Sequence, residues 1–397
     1  MNKNIASELI ISRTIVYMLN AVLITEIVRV LLLFLNVSRL IGMQLTEVIR
    51  NVGYTISFFI AFKCFIKNVR ISNIVLIIFF LIEMLISFLL VPSDTSYLLT
   101  TIEILFFRCI AIFILCQKVD NLSLLINEFK PYILIASIYA GFRFFGIASS
   151  QTNYMVFSYA LLFPTIASIY FFFIGRRFYG LIAIFLLMVI LVKGARGALL
   201  CVVFSFLTGV SFLYVKHSLK NLFVILSVLC CTLVFCSNFE IIMSFLVNVF
   251  PDSRSLFLFS NLNLTDNIGS RRVIYDASLS LLNTYLLTGT GVFMDRFYLS
   301  LLLGNDAHPH NILLQILLQY GILLGSIIIL SLALFIIRGI YYANKKSHFS
   351  AMFLVLLTTS VFVHLFVSGS YIIDVPFWML LGLLNSPISK IKNRKLQ

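Results

Sequence analysis

Charge is what this chain has least of. Only 11% of its 397 residues are charged, and 15 are acidic against 29 Lys and Arg. Soluble domains carry roughly a quarter charged residues, so a water-facing globular fold is excluded. Cysteine patterning is missing too. The seven cysteines fall in or beside apolar runs, none lies in the long segment 251–309, and no CxxC spacing or Cys/His cluster occurs. Nothing there supports a zinc module or a disulfide-braced loop, and the thiols read as small apolar packing groups. The N-terminus does not read as a cleavable signal: the apolar run after Arg13 is too long, contains Glu26 and Arg29, and has no small-residue cleavage site. It reads as a first membrane helix, with Glu26 and Arg29 three apart and able to pair on one face. Internal repeats, low-complexity tracts and a separate soluble domain are absent.

What fills the chain is apolar. Hydrophobic residues make up 61% of it, in recurring runs of about 20 residues, the length that spans a bilayer as a helix. The fold class is an all-α polytopic membrane protein. The runs predict twelve membrane helices, near 14–37, 47–66, 71–91, 97–117, 131–148, 154–174, 178–193, 196–215, 221–237, 311–337, 349–370 and 372–388. A net charge of +14 raises nucleic acid as a partner, but Lys and Arg sit in short clusters between apolar runs and read as orientation signals instead. With both termini inside, 18 of the 29 basic residues fall on the inner side, and the outer connections 92–96 and 149–153 carry none. The basic residues that break the bias concentrate at Lys193 and Arg196 and in the segment 251–309, with Arg143 as a further candidate at the outer end.

Three parts follow: helices one to nine with an interfacial segment (1–250), a large outer loop (251–309), and helices ten to twelve with a basic tail (310–397). Within this scheme 239–250 is an apolar, amphipathic stretch suited to the interface. Ser270 caps a helix running to about Leu287, with Arg271 in its first turn. Gly289-Thr-Gly291 turns the chain, and a partly apolar stretch from Arg296 to Leu303 leads to Gly304.

The polar groups gather at that outer face. Arginine is always charged and grips phosphate with a planar fork, so Arg196 and Arg271 are candidates to face a diphosphate. The alternatives are a snorkelling Arg196 and a solvated helix face carrying Arg271 and Arg272. His308 and His310 flank Pro309 where the loop meets the next helix; an imidazole there can act as a general base near neutral pH or serve as an interfacial polar group. Asp306-x-His308-x-His310 has no HExxH or cysteine companion to support a metal. His217 and His348 lie in inner loops, and His364, within a span, reads as a satisfied packing histidine, with a proton relay as the alternative. Glu83, Glu103 and Arg108 also fall inside spans.

Three stretches resemble the superfamily of O-antigen polymerases and O-antigen ligases of bacterial inner membranes. Lys193-Gly-Ala-Arg196-Gly opens a helix before the large loop. Arg271-Arg272-Val-Ile-Tyr275 is followed by Gly289-Thr-Gly291. His310-Asn311 is followed by an amphipathic run with Gln315, Gly321 and Gly325. Tyr275 stands where Trp is usual, and Gln319 where an acidic residue is common. The resemblance spans roughly 193–325. It implies a GT-C-like glycosyltransferase, metal-independent and without a cofactor, that uses an undecaprenyl-diphosphate-linked oligosaccharide in the inner membrane. It places the active site at the periplasmic face and both termini in the cytoplasm. On this expectation Arg196 and Arg271 bind the donor diphosphate, assisted by Arg272 or Lys193. His310 orients or deprotonates the acceptor hydroxyl, with Asp306 and Asp295 as alternative bases. His308, Asn311 and Tyr275 line the substrate, and the polyprenyl chain lies between membrane helices.

A polymerase joining lipid-linked repeat units is favoured over a ligase that transfers the glycan to lipid A–core. A chain-length regulator is a family-implied partner. A lipid-linked oligosaccharide flippase is the reading from another class, which charges within spans would suit and the absence of repeated halves does not.

Overall fold

The computed structural model describes residues 3–35, 39–67, 69–90, 95–145, 154–214, 247–250, 264–304 and 307–389. All regular structure among them is helical. The membrane part is built from α1 (Lys3–Phe34), α2 (Arg39–Lys67), α3 (Ile71–Leu90) and α4 (Thr95–Ile104), which runs through a π-turn (Leu105–Ile110) into α5 (Ala111–Cys116). After the short α6 (Leu122–Asn127) come α7 (Lys130–Phe144), α8 (Tyr154–Phe173), α9 (Arg177–Lys193) and α10 (Arg196–Tyr214). The connecting region holds α11 (Leu264–Thr284) and α12 (Asp295–Leu303), and the chain returns through α13 (Ile312–Lys346), α14 (His348–Val367) and α15 (Val375–Leu384).

Among the described residues, eight helices are long and apolar enough to cross a bilayer. Of the other expected spans, 131–148 and 178–193 are helices of 15 and 17 residues, and 372–388 contains a helix of 10. The span expected at 221–237, Cys230, Cys231 and Cys236 lie outside the described residues, as do Asp306, 239–246 and the basic tail. Cys64, Cys109, Cys116 and Cys201 are unpaired thiols.

Burial separates centre from rim. In α8, 78% of the spanning window is buried inside the protein, against 17% in α2, α3 and α13. Apolar side chains on those three, among them Phe59, Ile82 and Leu330, therefore face outward where lipid would lie. Helices meet without a hydrophobic drive in lipid, so close approach and polar pairs matter more. Both occur. A Cβ on Gly382 of α15 would sit 2.6 Å from Cys116 Cβ and from the Phe113 carbonyl of α5. Ser205 Oγ of α10 donates to Leu356 O of α14 at 3.2 Å, and Thr208 meets Thr359 at 3.0 Å. Asn73 and Gln117 exchange two amide hydrogen bonds of 3.0 Å. Glu26 pairs with Arg29 at 3.4 Å and accepts from Tyr139 Oη at 3.2 Å. The π-turn carries Arg108, whose guanidinium lies 4.4 Å over the Tyr54 ring and 3.6 Å from Glu103.

Two expectations about the loop change. α11 begins at Leu264, so Ser270 lies inside the helix and does not cap it, and Arg271 is past the first turn. Gly289-Thr-Gly291 does more than turn the chain. Thr290 N donates to Leu318 O at 2.8 Å, Gly291 N to Gln319 O at 3.0 Å, and Ile322 N to Leu286 O at 2.8 Å. The strap occupies the gap opened by a kink in α13 at Gly321, whose φ is 72°. A Cβ at Gly289 would meet Gln319 O at 2.3 Å, and one at Gly321 would meet Leu287 O at 2.5 Å. The two glycine motifs noted separately in the sequence are two halves of one backbone junction.

Candidate active site

Seven residues, Ser368-Gly-Ser-Tyr-Ile-Ile-Asp374, connect α14 to α15, and the candidate site is assembled on them. A helix C-terminus leaves carbonyls without intrahelical partners and carries partial negative charge. At the end of α14 the Val367 carbonyl accepts from Arg271 at 3.2 Å. The next carbonyl, of Ser368, accepts from His308 Nε2 at 3.3 Å and from His310 Nδ1 at 3.4 Å. The imidazole centroids are 3.7 Å apart.

Because a carbonyl only accepts, these contacts set the tautomers. His308 carries its proton on Nε2. His310 carries its proton on Nδ1 and presents a lone pair at Nε2. Burial, with the Arg296 guanidinium and His310 alongside, brings the His308 pKa down to about 3. Burial also lowers that of His310, with Arg271 and Arg296 acting in the same direction against the Ser368 carbonyl. Both rings are therefore held neutral. The backbone of His310 has φ 50°, a left-handed conformation that costs a residue with a Cβ roughly 1–2 kcal/mol. Such strain is retained where surrounding structure enforces it, commonly at functional sites.

The start of α10 reaches the same place. Ala195 N donates to Ser158 Oγ of α8 at 2.5 Å. A Cβ on Gly197 would lie 2.5 Å from Tyr159 Oη and 3.1 Å from Val367 Cγ1. Only glycine allows this approach, and it brings the Arg196 backbone beside the residue whose carbonyl holds Arg271. Lys193 ends α9 three residues earlier, half-buried.

The remaining expected residues separate into different roles. Asn311 Oδ1 caps α13, accepting from Leu313 N at 3.0 Å and Leu314 N at 3.3 Å. Arg272 pairs with Asp276 one turn along α11 at 3.8 Å, with both side chains largely exposed. Tyr275 is half-buried on α11. Arg143 stacks 4.9 Å over Phe157. Asp295 is 1% exposed and accepts from Gln315 Nε2 at 3.1 Å and Gln319 Nε2 at 2.9 Å. Gln315 also donates to Ser370 Oγ at 2.9 Å, and the Tyr371 hydroxyl donates to Gln319 Oε1. Burial pushes the Asp295 carboxyl up despite these donors. It is a buried lock, closed to an acceptor hydroxyl, which removes it as an alternative base. The lock also explains Gln319: an acid there would set a second carboxyl against Asp295.

Four further residues complete the cluster; the sequence reading noted only His364 among them and took it as a packing group. Ser368 Oγ lies 2.6 Å from Tyr159 Oη and 3.3 Å from His364 Nδ1. His364 Nε2 lies 3.1 Å from Asp374 Oδ2, and its ring packs edge-on to Tyr159 with centroids 4.4 Å apart. Asp374 Oδ1 caps α15 through Phe377 N at 2.8 Å. Tyr159, His364, Ser368 and Asp374 all line a cavity of about 480 Å³ whose wall is shared by α1, α8 and α14. Its walls are otherwise mainly apolar, including Met18, Val22, Leu162 and Val361, with Arg108 as a further charge.

Residues 181–329 match the family model described as O-antigen ligase. No curated protein matches the chain. The matched stretch runs from α9 into α13 and contains Arg196, Arg271, the glycine strap and both histidines. Tyr159, His364, Ser368 and Asp374 lie outside it. The match supports the O-antigen ligase and polymerase superfamily that the motifs resemble.

Proposed function

We propose, from an O-antigen ligase-type stretch built into a polytopic helical protein, that this chain is a membrane glycosyltransferase. It transfers a glycan from a polyprenyl-diphosphate carrier, of the undecaprenyl kind, to a sugar hydroxyl. The observation that supports this best is the convergence on the end of α14. Arg271 and two neutral histidines are gathered there on the Val367 and Ser368 carbonyls, next to the start of α10, and Ser368 is also part of the lining of a mainly apolar cavity.

Each part has a role. Breaking the glycosidic bond leaves charge on a diphosphate, and fixed arginines stabilise such charge without a cation. Arg271 and Arg196 are assigned to it, with Lys193 behind them. His310 presents Nε2 to a hydroxyl of the acceptor sugar and orients it, in the neutral form its setting favours. The first isoprene units of the carrier lie along the apolar part of the cavity wall, leaving Tyr159 and Ser368 to the reacting groups. His308 shares the Ser368 carbonyl and holds His310 in its ring-to-ring contact. The site faces the periplasm in this reading, with both termini in the cytoplasm.

Repeat-unit polymerisation is the preferred reaction, from the His310-Asn311 to Gly325 run. Ligation to lipid A–core is the second reading, favoured by the description of the matching family. Purified protein given the cell's own extracted lipid-linked repeat unit, with a chelator present, tests this. A ladder of glycan lengths on a gel supports the polymerase. Product only after lipid A–core is added supports the ligase, and no product with either contradicts glycosyl transfer.

A further inference from the structure

The candidate site holds two histidine systems, and only that of His364 sets its ring against a carboxylate. We propose that the proton leaving the acceptor hydroxyl comes to rest on His364, carried through the hydroxyls of Tyr159 and Ser368 and held against Asp374. This rests on the glycosyl-transfer reading and concerns where its proton goes.

The direction of the chain follows from its end. Asp374 is cap acceptor to Phe377 N through Oδ1 and faces His364 Nε2 with Oδ2 at 3.1 Å. An ionised carboxylate only accepts, so Nε2 carries the hydrogen and Nδ1 carries the lone pair. Ser368 Oγ, 3.3 Å from Nδ1, then donates to it. That leaves Ser368 Oγ to accept from Tyr159 Oη at 2.6 Å. Tyr159 Oη therefore turns lone pairs, and no hydrogen, toward the cavity it lines. The chain is polarised to take a proton inward.

The step balances. The acceptor O–H bond breaks, and its oxygen forms the new bond to the anomeric carbon of the donor. The anomeric C–O bond breaks with its electron pair going to the diphosphate. The released proton joins Tyr159 Oη as the phenol proton passes to Ser368 Oγ and the serine proton to His364 Nδ1. The resulting imidazolium lies against the Asp374 carboxylate and returns its proton to water after product leaves.

His308 and His310 are less suited to that end point. Their ring nitrogens meet a carbonyl instead of a carboxylate, and Arg271 and Arg296 oppose a positive ring. Their geometry suits orientation of the acceptor. Arg108, paired with Glu103, is the other charge on the cavity wall. Tyr159 is the group that meets substrate; Ser368, His364 and Asp374 are positioning residues acting through it.

The test is a double-mutant cycle on the purified full chain with the cell's own lipid-linked repeat unit, reading kcat and KM separately. Tyr159→Phe, Ser368→Ala and His364→Gln are each expected to lower kcat by about 10²-fold or more with KM little changed. Tyr159→Phe/His364→Gln should be no worse than the weaker single, because either change breaks one chain. Asp374→Asn keeps the Oδ1 cap but offers N–H to His364, reversing every donor, and should fall to the same level with an unchanged unfolding temperature. This variant carries the test if His364→Gln does not fold. Singles within about twofold of wild type, or a double mutant whose loss is the product of the two singles, would overturn the relay while leaving glycosyl transfer standing. No product from folded wild-type protein would overturn the transfer reading and the relay with it.

Discussion

Two polar clusters share the connection between α14 and α15, and they differ in how far their hydrogen bonding is closed. The lock around Asp295 is buried, with both carboxylate oxygens, both glutamine amides and the Tyr371 hydroxyl engaged. The cluster on Val367 and Ser368 is half open: Arg271 is exposed, and His310 spends only Nδ1 on the protein. A buried polar network that is fully satisfied rigidifies. One with lone pairs turned into a cavity can do chemistry. The sequence offers His310 first and Asp295 as an alternative base, and their surroundings separate the two.

The contrast can be broken from either side. The largest expected effect is on turnover. Arg271→Ala should lower the transfer rate by about 10²-fold or more, as loss of a charge-stabilising donor does. His310→Ala should lower it comparably, and both proteins should unfold at the wild-type temperature in detergent. The lock should behave in the opposite way. Asp295→Ala leaves two buried glutamine amides without their acceptor and should cost about 2–3 kcal/mol of stability, read by thermal unfolding. Turnover per folded molecule should be nearly unchanged.

Gly289→Ala tests the junction that holds the lock in place. Its added carbon would meet Gln319 O at a left-handed φ of 68°, and a loss of at least about 1 kcal/mol is expected. A smaller effect is expected from pH. The His308 pKa falls from its usual value to about 3 in the folded protein, so the unfolded chain binds more protons across that interval. His308 therefore contributes stability above the ordinary imidazole range that is lost as pH falls toward 3. Unfolding temperature should drop between pH 7 and pH 4.5, and less steeply in His308→Gln. The mildest change is Arg272→Ala. Its exposed pair with Asp276 should contribute under about 0.5 kcal/mol, and activity should stay close to wild type.

Much of the architecture was legible. Apolar runs gave the helical class and most helix positions, because lipid demands about 20 apolar residues with internally satisfied backbone. Arg196, Arg271 and His310 stood out because polar residues in a fixed order at helix ends are conspicuous in an apolar chain. Tyr159 and Asp374 were not, and His364 was noticed only as a packing histidine, since each is a lone polar group within or beside an apolar run. The connection carrying Ser368 and Asp374 was absorbed into two adjoining spans. Its markers were present: Ser368-Gly-Ser370 breaks a helix, and Asp374-Val-Pro376 starts one, with the carboxylate as cap and proline in the first turn. The start of α11 was missed for the opposite reason, because Ser270 had the chemistry of a cap while the helix runs through it from Leu264. The meeting of Gly289 with Gly321 could not be read from spacing, as it depends on a kink in α13.

The measurement that bears most directly on the central claim compares wild type, His310→Ala and Asp295→Asn. Each would be purified and given the same extracted lipid-linked repeat unit, with glycan products followed over time. The account predicts product from wild type and from folded Asp295→Asn, and almost none from His310→Ala. Equal product from His310→Ala and wild type, or loss confined to folded Asp295→Asn, would contradict it.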